Sequence, residues 1–111
     1  MTIKTIDSNL SVGPQIAPEE VARLKAKGFR SVICNRPDGE EWGQPAFAEV
    51  EKAAKAAGME ARHIPVTGQP GPAQAAQFAA ALKEMPGPVY AYCRSGGRAG
   101  MLAAMSGRPR R

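Results

Sequence analysis

The chain has 111 residues, 43% of them hydrophobic, and no apolar run reaches the roughly 20 residues that span a bilayer, so we expect one globular domain and no membrane partner. Its formal net charge of +5 predicts attraction for small anions, whereas an aromatic content of 5% is too low for the stacking surfaces that bind nucleic acid. Two cysteines and one histidine do not supply a disulfide framework or a zinc site, and a start without an apolar signal core predicts a cytoplasmic protein.

The first half of the chain predicts three strands and two helices. The strands are residues 4–6, 10–12 and 31–34. Pro18 and Pro45 each open a helix, because the missing N–H of proline costs little in a first helical turn. Gly28 and Gly58 follow these helices as C-terminal caps.

The second half continues the alternation of strands and helices. Its elements are a strand at 61–66, a helix from Pro72 to about Glu84, an apolar strand at 89–92 and a helix at 99–106. This order predicts a three-layer α/β domain over residues 1–106, with a mostly parallel sheet, helices on both faces and the apolar strand at its centre. Residues 107–111 are predicted to form a basic tail.

Cys93 directly follows the apolar strand and is the candidate nucleophile. The loop after it contains Arg94, Ser95, Gly96 and Gly97, and the loop closes on Arg98. Loop N–H groups, the positive end of the next helix and Arg98 all favour the thiolate, which is the nucleophilic form of cysteine. We therefore predict Cys93 and Arg98 as catalytic residues and the four loop residues as an anion-binding loop, with no metal or organic cofactor.

Ligands of parallel α/β sheets bind at the carboxyl ends of the strands, so residues that follow other strands are candidates for the pocket rim. They are Asn35, Arg36, Asp38 and Thr67. The alternative for the first three is a purely local role in shaping the turn at 37–39. Cys34 is predicted to be a core residue, with a reversible Cys34–Cys93 disulfide as the alternative.

Five segments together resemble the bacterial beta-lactamase hydrolase-like, phosphatase-like domain family. They are residues 10–16, 28–33, 35–40, 63–66 and 92–96. The fold of that family is similar to the fold of dual-specificity phosphatases, and its members are described both as phosphatases and as sulfurtransferases. The resemblance therefore implies the fold and the cysteine nucleophile, and it leaves the reaction open.

Three sequence details favour sulfur transfer over phosphate-ester hydrolysis. Four residues separate Cys93 from Arg98, as in single-domain rhodaneses, whereas cysteine phosphatases resemble one another in placing five there. Residues 66–72 contain no carboxylate for general acid catalysis, which is worth roughly 10²–10⁴ in rate. Ala99 stands where phosphatases usually have a hydroxyl residue after the arginine.

The sequence therefore predicts a rhodanese-type sulfurtransferase. A Cys93 persulfide would carry sulfur from a small anionic donor to a thiol, sulfite or cyanide, with a persulfide-handling enzyme as a partner. One alternative is a cysteine phosphatase that acts on a phosphate ester, with Asp38 or Glu40 reaching in as the acid. A second is a persulfide carrier or sensor that does not turn over.

Overall fold

One sheet of five strands organises the computed structural model, which describes residues 2–107. The strands are β1 (Lys4–Asp7), β2 (Leu10–Gly13), β3 (Ser31–Cys34), β4 (Glu60–His63) and β5 (Val89–Tyr92). They lie in the order β1-β2-β5-β3-β4, with β1 antiparallel to β2 and the other neighbours parallel. The central strand β5 is buried along its whole length, as its apolar sequence predicts.

Helices cover both faces of the sheet, which confirms the predicted three-layer α/β architecture. They are α1 (Val21–Ala26), preceded by a 3-10 turn at Pro18–Glu20, α2 (Phe47–Ala56), α3 (Pro72–Glu84) and α4 (Gly97–Met105). The buried side chains of α1 and α2 pack on one face, and those of α3 and α4 pack on the other. Among residues 2–107, no helix is long and apolar enough to cross a bilayer.

Several predicted boundaries differ from those observed. Helix α2 begins at Phe47 with Ala46 as its N-cap, so Pro45 stands before the helix and not in its first turn. Strand β4 ends at His63 instead of Val66, because Pro65 has no N–H and interrupts the ladder, although the N–H of Val66 still donates to the Asn35 carbonyl at 3.0 Å. Helix α4 begins at Gly97, so Arg98 lies in the first helical turn and not in the loop before it. Residues 108–111 of the predicted tail lie outside the described residues.

Two glycines allow the segment after β5 to lie directly against the end of β2. The Cys93 N–H donates to the Gly13 carbonyl at 3.4 Å. Gly96 has a φ of 99°, and a Cβ built there would lie 3.2 Å from the Gly13 backbone. A Cβ on Gly13 would lie 2.4 Å from the Tyr90 hydroxyl, which donates to the Pro14 carbonyl at 2.8 Å. The close approach of the backbone at Gly13 and Gly96 therefore determines the position of Cys93.

We expect Gly13→Ala to destabilise the fold by about 1–3 kcal/mol, because the new methyl group forces the buried Tyr90 ring to move. Gly100→Ala is the matched control: its Cβ meets nothing within 4 Å, and alanine in a helix stabilises by about 0.5–1 kcal/mol relative to glycine. Urea denaturation of the two variants measures both effects. Equal stabilities for the two variants would contradict the packing argument.

Candidate active site

Cys93 lies at the carboxyl end of the central strand, one residue beyond β5. Its sulfur accepts a hydrogen bond from the Gly96 N–H at 3.0 Å, and only 1% of the residue is exposed. The first turn of α4 begins at Gly97, so the positive end of the helix dipole faces this part of the loop. Both features stabilise negative charge on the sulfur or on a group bound beside it.

Arg98 is held along one edge of its guanidinium group. Its Nη1 donates to Glu40 at 2.7 Å and to the Val66 carbonyl at 2.8 Å, and its Nη2 donates to the second Glu40 oxygen at 2.8 Å. A guanidinium group has five N–H donors, so the Nε–H and one Nη2–H remain, and together they form a second fork for an anion. Cys93 is an electrostatic neighbour of Arg98.

Glu40 is the residue that fixes Arg98 in this orientation. Hydrogen bonds from Arg98 and Arg36 hold the pKa of Glu40 at about 2, against an opposing effect of burial. The same pair raises the pKa of Arg98. Glu40 is therefore ionised at neutral pH and cannot supply a proton while it is paired.

Arg36 ties the loop after β3 to the rest of the site. Its side chain is 3% exposed and donates from Nε to Glu40 at 2.9 Å, from Nη1 to Gln15 at 3.2 Å and from Nη2 to Glu41 at 3.1 Å. Glu41 also accepts a bond from Arg94 at 3.3 Å. A buried guanidinium group with three acceptors is a rigid anchor, because breaking any one bond leaves a buried charge less well paired.

These charged side chains enclose a cavity of about 300 Å³. Its lining residues are Arg36, Glu40, Glu41, Arg94 and Arg98. Three arginines against two glutamates leave one net positive charge before a ligand enters. The size and charge of this cavity fit a small anion, and Cys93 is not among its lining residues.

The structure brings together some of the predicted site residues and leaves others apart. Arg36 joins Arg94 and Arg98 at the cavity. Asn35 is fully buried beneath it, where its amide donates to the Ile64 carbonyl at 3.0 Å. Asp38 instead accepts the Phe47 N–H at 2.8 Å at the start of α2, and the exposed Thr67 is not among the cavity-lining residues.

The remaining loop residues lie on the other side of the cysteine loop. Ser95, Gly96 and Gly97 line a larger groove of about 1000 Å³ between the first two strands and α4, which Arg94 also borders. The Ser95 hydroxyl accepts the Gly97 N–H at 3.4 Å and so helps to shape the start of the helix. Their role as anion ligands stays a prediction that depends on their backbone N–H groups.

Glu41 is the site residue that the sequence did not single out, and for Glu40 only an acid role was considered. The available signal is their position: two adjacent carboxylates follow a strand end in a basic chain. Within the described part of the chain, no group of three His, Cys, Asp or Glu side chains is placed to hold a metal ion.

Cys34 is a core residue, as predicted. It is buried in the cluster beneath the sheet, and its thiol donates to the Arg36 carbonyl at 3.3 Å. Burial raises the pKa of Cys34, which disfavours its thiolate. Both cysteines are free thiols, and the reversible disulfide between them stays a prediction.

The chain is similar to curated proteins over most of its length. Residues 2–108 match the family described as beta-lactamase hydrolase-like protein, phosphatase-like domain. A beta-lactamase hydrolase-like protein of Agrobacterium fabrum is 41% identical over 95 residues, which cover 85% of this chain and 22% of that protein. A relative of the same name in Xylella fastidiosa is 36% identical over 107 residues, covering 96% and 25%. The chain thus spans about a quarter of the length of these curated relatives.

Solved structures with the same architecture are phosphatase-like. A candidate phosphatase of Neisseria meningitidis is 34% identical, with a TM-score of 0.84 over 92% of this chain and 73% of that chain. PTPMT1, at 20% identity and a TM-score of 0.75 over 95% of this chain and 70% of that chain, shares the fold. The predicted dual-specificity-phosphatase-like fold is therefore confirmed. By the match over residues 2–108 and the similarity to these relatives, the chain belongs to the phosphatase-like domain family of beta-lactamase hydrolase-like proteins.

Proposed function

We propose that the domain hydrolyses phosphate monoesters, with Cys93 as the nucleophile. The observation that carries this proposal is Arg98, an electrostatic neighbour of Cys93 whose guanidinium group is held by Glu40 in a cavity that Arg36 and Arg94 also line. A transferring phosphoryl group spreads its charge over three oxygens and needs fixed donors around it. The similarity to phosphatase-like proteins supports the same reading, which the sequence ranked second.

The proposed reaction has two steps. In the first, Arg98 binds two oxygens of the phosphoryl group, the Cys93 thiolate forms a bond to phosphorus, and the ester P–O bond breaks with its electron pair leaving on oxygen. In the second, water attacks phosphorus, the S–P bond breaks, and phosphate and the thiolate are released. Arg94, at the outer side of the cavity, draws the anion in.

Sulfur transfer is the second candidate, and the short loop favours it. Four residues between Cys93 and Arg98 make a smaller cradle than five, and a single sulfur atom needs fewer donors than a phosphoryl group. In that reaction, the Cys93 thiolate bonds to the outer sulfur of an anionic donor such as thiosulfate, whose S–S bond breaks to release sulfite. The resulting Cys93 persulfide passes its outer sulfur to a thiol, sulfite or cyanide, as a turnover enzyme or as a carrier for a partner. A cytoplasmic location belongs to either proposal and is not needed to test them.

Hydrolysis of phenyl phosphate beside thiosulfate-dependent thiocyanate formation tests the two candidates. We expect the wild-type chain to release phosphate and Cys93→Ser to lose at least about 10²-fold in rate, because the serine hydroxyl is a much weaker nucleophile. Thiocyanate formation that requires Cys93, without phosphate release, would overturn the proposal and establish sulfur transfer.

Glu40→Gln tests whether Glu40 positions Arg98. The amide removes the charge that pairs with Arg98, so we expect kcat/KM for phenyl phosphate to fall about tenfold, with weaker inhibition by inorganic phosphate.

Glu41→Gln is the matched control for that variant. It removes the same charge from the same cavity without freeing Arg98, so we expect a change of less than about threefold. Similar losses in both variants would assign the effect to general electrostatics. A gain in phosphate affinity for Glu40→Gln would show that Glu40 competes with the substrate.

A further inference from the structure

Trp42 is the one tryptophan of the chain, and its side chain is 99% exposed. A buried aromatic side chain typically removes about 150–250 Å² of surface from water. An exposed indole therefore lacks a large favourable contribution to the free energy of folding. It lies in a segment between β3 and α2 whose other side chains are mostly committed to bonds within the fold.

The loop holds Trp42 beside the cavity. Glu41, the preceding residue, lines the cavity and is fixed by Arg36 and Arg94. On the other side, the Gln44 N–H donates to the Glu41 carbonyl at 3.2 Å and its side chain donates to the Pro37 carbonyl at 2.9 Å. The backbone of Trp42 is therefore anchored directly after a residue that lines the anion cavity, while its indole faces solvent.

The cavity also restricts which esters can be cleaved. Both carboxylates that line it, Glu40 and Glu41, accept hydrogen bonds from guanidinium groups, so neither holds a proton for the leaving oxygen. An ester bond then breaks readily only if the leaving oxygen is stable as an anion. A phenol such as the tyrosine side chain has a pKa of about 10. Alkanols resemble water, whose pKa is about 15.7, so a phenolate is the better leaving group.

We propose that Trp42 stacks on an uncharged aromatic leaving group and makes the site selective for aryl phosphates. This inference rests on the proposed phosphatase function and adds a residue that contacts the leaving group of the substrate. Offset stacking of two aromatic rings would bury part of the exposed indole, which carries no charge and therefore suits an uncharged ring.

Because Trp42 is the one tryptophan, its fluorescence reports directly on this contact. The experiment titrates Cys93→Ser with phenyl phosphate and, separately, with inorganic phosphate. We expect both to bind and phenyl phosphate alone to quench or blue-shift the indole emission. Binding of both without a difference in emission would overturn the role of Trp42. Failure to bind either anion would remove the proposed function, and this inference with it.

Calorimetry on the Cys93→Ser background separates stacking from a structural role. We expect Trp42→Ala to weaken phenyl phosphate about three- to tenfold, the effect of losing one aromatic pair, and Trp42→Phe to stay within about twofold of the parent. Inorganic phosphate should bind all three proteins alike. Equal losses for both ligands would indicate a misplaced loop and contradict the proposal.

The last experiment measures Trp42 fluorescence in the presence of vesicles that contain anionic lipid. A blue shift with vesicles but none with phenyl phosphate would mean that Trp42 meets a membrane surface, which would also overturn the proposal.

Discussion

The ion pair between Glu40 and Arg98 is the contact on which the geometry of the site depends. It joins residues 58 positions apart in the sequence, one in the loop after β3 and one in the first turn of α4. Because the carboxylate and the Val66 carbonyl accept three of its five N–H groups, the guanidinium group is held in one orientation. The arginine is thus oriented before any substrate arrives, which lowers the entropic cost of binding an anion.

Further charged side chains around Arg36 support this ion pair. Arg36 is almost fully buried, yet each of its nitrogens donates to a side chain, so its charge is compensated without water. Through Glu41 the same network reaches Arg94 on the cysteine loop. The two loops therefore form one unit, in which Glu40 is the carboxylate that bonds Arg98 directly. Three arginines and two glutamates thus line one small cavity.

Different features of the site favour phosphate-ester hydrolysis and sulfur transfer. Loop length and the lack of a carboxylate in residues 66–72 both favour sulfur transfer, because they concern the size of the cradle and the supply of a proton. The orientation of Arg98 favours phosphate, because a two-pronged donor matches two oxygens of a phosphoryl group better than one sulfur atom. The proposed phosphatase would therefore act on esters whose leaving oxygen needs no acid.

The sequence alone determined the layers, the parallel sheet and the central position of residues 89–92, and it singled out Cys93 as the candidate nucleophile. These follow from short-range rules, since apolar periodicity, proline and glycine positions and a cysteine at a strand end act within a few residues. It did not determine which loop would complete the site. Asp38 became a ligand of the α2 N-terminus, Thr67 stayed outside the cavity, and Glu40 with Glu41 entered it. Such choices depend on how a loop crosses the edge of the sheet and which buried charge must be neutralised. Both are set by contacts between residues far apart in the chain, and only the tertiary structure decided them.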